Sequence, residues 1–305
     1  MNPTVVRYSA ATLAALAMTM NFACAENEVH SSLAGMYYLN DAQGPMRAVD
    51  PTPPKGDVSN QILAGPSNGL ASAYIIYERI AAGVKPKDLY TLPVDHTYLV
   101  LSGKLSVQLG SAQFVAEPET LVLVPAGVPH RVWNAGADPE ADFQVMAPAP
   151  SRDLASMMKV AAAHAIDNPA QYIRVAPKLE KLIGGTGHDS LNERVLASRA
   201  TGSEHVLERL NDVPPGGGRT EAHIHPFDQL YFVREGSLTF QYGMNTYDVG
   251  ANTLVVLPAG IVHSNANKGT TVERLITLLI SEPPKGSPMG AGVTLESQRA
   301  DSRPQ

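Results

Sequence analysis

The chain has 305 residues, 44% hydrophobic and 17% charged, which suits a globular protein with a sizeable core and excludes a disordered or fibrous one. Its formal net charge of −6, without a basic cluster, argues against nucleic acid or an anionic membrane surface as a partner. A single cysteine, Cys24, excludes an internal disulfide and thiolate zinc sites.

In chain order, residues 1–25 read as a secretory signal peptide. Arg7 precedes an apolar run from Ala10 to Met20, and Ala23-x-Ala25 supplies a cleavage site before Glu26. The run is too short to span a bilayer, so a periplasmic or secreted protein without a membrane partner is expected, and Cys24 leaves with the peptide. Residues 26–68, with 50-DPTPPKG-56, read as an N-terminal arm. Residues 69–150 carry short runs of Val, Leu, Tyr, Phe and Thr between Gly- and Pro-bearing turns, the pattern of closely spaced strands. Residues 151–200 read as a connector, whose stretch 152-RDLASMMKVAAAHAI-166 predicts a helix capped by Ser151 and whose part 167–200 also holds the first strands of the second unit. Residues 201–282 are again strand-rich, and 283–305 read as a flexible tail.

The two strand-rich blocks are copies. Shifting the chain by 133 residues aligns 93–134 with 226–267 without a gap, and 16 of 42 positions are identical. Asp95/Asp228, Tyr98/Tyr231, Gly103/Gly236, Pro125-Ala126-Gly127/Pro258-Ala259-Gly260, His130/His263 and Asn134/Asn267 are among them. A duplicated domain follows.

Side chains alternate along a strand, so His223, His225, Gln229 and Tyr231 share one face, and His263 lies on a second hairpin. Three imidazoles and an amide oxygen are suitable donors for one divalent first-row metal. The alternative is a set of hydrogen-bonded barrel histidines.

These residues resemble the cupins, and specifically the two-domain bicupins. The family motif G-x5-HxH-x3,4-E-x6-G reads here Gly217-x5-His223-Ile224-His225-x3-Gln229-x6-Gly236, and P-x-G-x2-H-x3-N reads Pro258-Ala259-Gly260-x2-His263-x3-Asn267. The resemblance implies an all-β fold of two tandem jelly-roll β-barrels with a short helical connector. It also implies a divalent ion (Mn, Fe, Ni, Co or Zn) on His223, His225, Gln229 and His263, and a homo-oligomer. Gln229 stands where the family usually has Glu. Seven residues separate Gly250 from Pro258, where five are usual, which predicts a longer loop. In the first copy the matching positions are Tyr90, Leu92, His96 and His130. Leu92 offers no donor, so this half reads as a scaffold with a degenerate metal site. Arg131, Trp133 and His130 lining an organic pocket is the other reading.

With Gln in place of Glu the ion keeps its full charge. That favours Lewis acidity over redox cycling, and so an isomerase, cyclase or lyase acting on an enolisable carbonyl, keto acid or phenol. Tyr231 and Glu221 are the candidates for proton transfer. A dioxygenase similar to the flavonol or aromatic-ring enzymes, and a non-catalytic small-molecule binder, are the alternatives.

Overall fold

The computed structural model describes residues 44–52, 56–150, 154–183, 191–287 and 290–293, so the expected signal peptide lies outside the described residues. The chain forms two antiparallel jelly-roll barrels, each a large sheet facing a small one. In the first, the large sheet runs Ile173–Val175, Thr120–Val124, Asp95–Ser102, Glu140–Ala147, Tyr74–Ile80, Val58–Ala64. Its small sheet runs Lys159–Val160, Tyr90–Thr91, His130–Trp133, Leu105–Leu109, Ala112–Ala116. In the second, the large sheet runs Met46–Ala48, Thr253–Leu257, Asp228–Glu235, Glu273–Ile280, Val206–Val213, Asn192–Ala197, Leu182–Ile183. Its small sheet runs Asn245–Gly250, Ser237–Tyr242, His263–Ala266, His223–Ile224, Ala291–Gly292.

The large-sheet strands carry unbroken apolar runs such as Leu254-Val255-Val256-Leu257 because both of their faces are buried. One face fills its own barrel, with Tyr98, Val100 and Val122 in the first and Tyr231, Val233 and Val255 in the second. The other faces of the two large sheets share one core, where Leu99, Leu121 and Phe143 meet Leu230, Phe232 and Leu254. The Phe143 and Phe232 rings lie 4.9 Å apart. A strand with a wet face alternates instead, as Ala112–Ala116 does.

The barrels also exchange edge strands. Met46–Ala48 precedes the first barrel but pairs with the second, Met46 opposite Val255. Ile173–Val175 precedes the second barrel but pairs with the first, Ile173 opposite Val122. The arm contributes Val58–Ala64 to the first barrel, and the first strands of the second unit, expected within 167–200, are Leu182–Ile183 and Asn192–Ala197.

The repeated aspartate ties turn to interface. Asp95 accepts from Ala126 N at 3.2 Å and from Glu204 N at 3.1 Å, and Asp228 accepts from Ala259 N at 2.9 Å and from Ser72 Oγ at 2.6 Å. Each carboxylate thus holds its own Pro-Ala-Gly turn and reaches the opposite barrel. Gly127 and Gly260 both close that turn at φ +80°, a conformation that favours glycine.

Three local expectations are corrected. The helix over 152–166 is one turn, Leu154–Met157. Lys159–Val160 then pairs with Tyr90–Thr91, because an Ala-rich segment this short gains less from isolated helix than from capping a sheet edge. The extra spacing before Pro258 is not a longer loop, since only Ala251 and Asn252 join the strands ending at Gly250 and starting at Thr253. The tail is not loose throughout: Ala291–Gly292 pairs with His223–Ile224. Among the described residues, no helix is long and apolar enough to cross a membrane.

Candidate metal centre

His223 and His263 face each other across paired strands, and His225 follows at the strand end. The ring centroids stand 4.2 Å (His223–His263), 4.8 Å (His223–His225) and 4.9 Å (His225–His263) apart. One nitrogen of each ring lies within 4.8 Å of those of the other two, and all three side chains are buried. The rings are oriented from behind. His223 Nδ1 meets Glu221 O at 2.8 Å and His263 Nδ1 meets Ile261 O at 2.9 Å. A carbonyl accepts only from N–H, so the proton sits on Nδ1 and the Nε2 lone pair points inward. Nε2 of His263 is buried without a partner. Burial pushes the His263 imidazolium down to about 3, and His223 and His225 beside it act the same way, so the ring is neutral. His225 stacks on Phe227 at 4.7 Å, and the tail crosses it so closely that a Cβ on Gly290 would sit 2.5 Å from His225 Nδ1.

Gln229 lines the same cavity as His225. Its Nε2 donates to the Tyr231 hydroxyl, which fixes the amide orientation and leaves Oε1 buried without a partner. Two unpartnered lone pairs, on His263 and Gln229, beside two further imidazoles are what a divalent cation requires and what an apolar core avoids. The residues present fit the metal.

The cavity beside them is small, about 30 Å³, where one water needs roughly 10–15 Å³. Arg209, Arg219, Asn211, Asn265 and Tyr231 line it. Arg209 is buried and paired with buried Glu193 at 3.0 Å, so its charge is offset, whereas Arg219 is half-buried at the rim. Tyr231 donates to Asn265 Oδ1 at 3.5 Å, and burial holds its phenol well above the ordinary range, so it stays protonated. The other proton-transfer candidate, Glu221, has an exposed side chain that does not line the cavity, and its backbone carbonyl orients His223. Sequence reasoning missed Arg209 and Arg219. The available signal was the strand 206-VLERLNDV-213, which carries polar residues on both faces and so announces a polar interior.

The first barrel keeps the frame and not the donors. His130 Nδ1 meets Val128 O at 2.9 Å, the same backing as His263. Tyr90, in the place of His223, has its hydroxyl 2.9 Å from that of Tyr98. His96, in the place of Gln229, has Nε2 3.0 Å from Gln144 Oε1, and Leu92 replaces His225 with a buried apolar chain.

The chain was compared with known proteins. The family described as "Cupin domain" matches residues 81–145 and 209–279, one match in each barrel. No curated protein matches the sequence. Among solved structures, an oxalate decarboxylase aligns at TM-score 0.61 and 12% identity, covering 83% of this chain and 80% of that one. AerE from Microcystis aeruginosa aligns at 0.57 and 15%, covering 78% and 99%. Oxalate decarboxylase from Bacillus subtilis aligns at 0.55 and 11%, covering 73% and 72%. With a cupin domain in each half of a duplicated, two-barrel chain, the protein is a member of the cupin superfamily of the bicupin type.

Proposed function

We propose that the second barrel is a metal-dependent catalytic site for a small, oxygen-rich carboxylate, and that it works as an isomerase, cyclase or lyase. The observation that carries this is the set of three buried imidazoles, ring nitrogens within 4.8 Å, beside an unpartnered amide oxygen of Gln229. A divalent ion held by His223, His225, His263 and Gln229 would supply Lewis acidity toward a carbonyl or carboxylate oxygen. Arg219 attracts the anionic end of the substrate, and the Arg209–Glu193 pair, with Asn211, shapes the wall it rests on. Tyr231, protonated and anchored between Gln229 and Asn265, gives a proton to the reacting carbon or oxygen. The tail strand Ala291–Gly292 covers the histidine strand and keeps water away from it. Oxalate decarboxylase, to which the fold is similar, is named for a small dicarboxylate. Export through the peptide 1–25 belongs to the same proposal.

Elemental analysis of protein purified without added metal, with turnover and dioxygen consumption followed over small 2-oxo acids and dicarboxylates, tests it. The expected result is bound divalent metal, activity lost to a chelator and restored by metal, and no net dioxygen uptake. Stoichiometric uptake would transfer the site to the oxygenases, and ligand retention without any turnover would make it a binder. Gln229→Glu halves the net charge of a divalent site and is expected to cost roughly 10–100-fold in activity. An oxygenase should tolerate it.

A further inference from the structure

The larger space lies in the other barrel. The first barrel encloses a cavity of about 520 Å³, against about 30 Å³ beside the histidines, and within the roughly 300–1,000 Å³ usual for small-molecule sites. Two repeated positions differ between the interiors. The ion pair Arg209–Glu193 occupies the second interior, while the same positions in the first barrel, 133 residues earlier, are Ile76 and Asn60.

The wall is chiefly apolar and ring-rich, with Tyr90, Tyr98, Trp133 and Met146. At the buried end are Glu78, Gln144 and His96. His96 is 1% exposed, with its Nε2 3.0 Å from Gln144 Oε1. Burial raises the Glu78 carboxyl to about 7 and holds His96 well below the ordinary imidazole range. The mouth carries three cations and one acid, the exposed Asp88. Lys85 and Lys87 are exposed there, and Arg131 lies 5.8 Å over the Trp133 ring, fixed by Lys87 O at 2.7 Å and Gln108 Oε1 at 2.9 Å.

We propose that the first barrel binds an aryl carboxylate in a metal-independent site. The ring lies among Tyr90, Trp133 and Met146, and the carboxylate meets Lys85, Lys87 and Arg131 at the mouth. A metal is not part of this site, because Leu92 gives no donor and Tyr90 is engaged by Tyr98.

Trp133 is the only tryptophan of the chain, so its fluorescence reports this cavity alone. Full-length protein is titrated with 3-phenylpropanoate and with its uncharged amide, before and after metal chelation. A saturable change is expected with the acid, unaffected by chelation and about tenfold weaker with the amide, the size of one lost charge contact. The exposed double variant Lys85→Glu with Lys87→Glu should weaken the acid about tenfold and leave the amide unchanged. Ile76→Phe should weaken both by filling the cavity; should that variant fail to fold, the surface lysines still decide. No saturable change at millimolar acid, equal response to acid and amide, or loss on chelation would each overturn the proposal.

Discussion

The two barrels answer the same backbone with different interiors. His130 and His263 are held alike, each with Nδ1 2.9 Å from the carbonyl two residues before it. Asn134 and Asn267 are also alike. Asn134 donates to Ile80 O at 3.1 Å and Asp138 O at 2.8 Å, and Asn267 donates to Val213 O and Thr271 O, both at 2.8 Å. The second motif therefore builds a turn, and it persists where no metal set exists. The chemistry is decided at His223, His225 and Gln229, whose counterparts are Tyr90, Leu92 and His96. The shared His and Asn build the turn in both barrels, and only in the second does the His also face an HxH pair.

The widest expected contrast is between His263→Ala and His130→Ala. The first should drop bound metal from about one equivalent per chain to near none and abolish turnover, while the second leaves metal content unchanged. Equal metal loss in both, read by elemental analysis, would put the ion in the wrong barrel. Next in size, Phe232→Ala opens the shared core against Phe143 and should cost about 3–5 kcal/mol. Because that core belongs to both barrels, calorimetry should show both melting in one shifted transition. Two separate transitions would break the picture of a common core. The smallest effect probes an asymmetry in the same interface. Glu208, fully buried, accepts from Thr97 Oγ1 at 2.9 Å, while the repeated positions are Ile75 and Leu230, both apolar. Burial raises the Glu208 carboxyl from 4.5 to about 8. The folded state thus keeps a proton that the unfolded chain releases, and the stability this gives is complete below about pH 4.5 and lost as pH rises through about 8. Glu208→Gln removes that loss, so it should stabilise by roughly 2–4 kcal/mol above pH 8 and change little near pH 4. A gain independent of pH in denaturant titrations would show that the carboxyl is not the cause.

Much of this was legible in the residues. The shift of 133, the two turns at Pro-Ala-Gly and the histidine spacing are local and periodic, so they fixed the duplication, the barrels and the three imidazoles. The exchanged strands were not legible, since Met46–Ala48 and Ile173–Val175 are three residues long and owe their pairing to partners about 200 and 50 residues away. The one-turn helix at Leu154–Met157 shows tertiary pairing overriding Ala-rich propensity. Arg209 escaped because an arginine in a strand reads as exposed until its partner Glu193, on the neighbouring strand, is seen. Cavity size was beyond reach for a related reason: it depends on how side chains from several strands fill a volume, not on any spacing along the chain.

The crossed edge strands have an evolutionary consequence. After duplication, each half came to supply a rung that the other cannot make for itself, so deleting either copy would strip the survivor and bare an adhesive sheet margin. A half without the full ligand set could then be retained for its mechanical service alone.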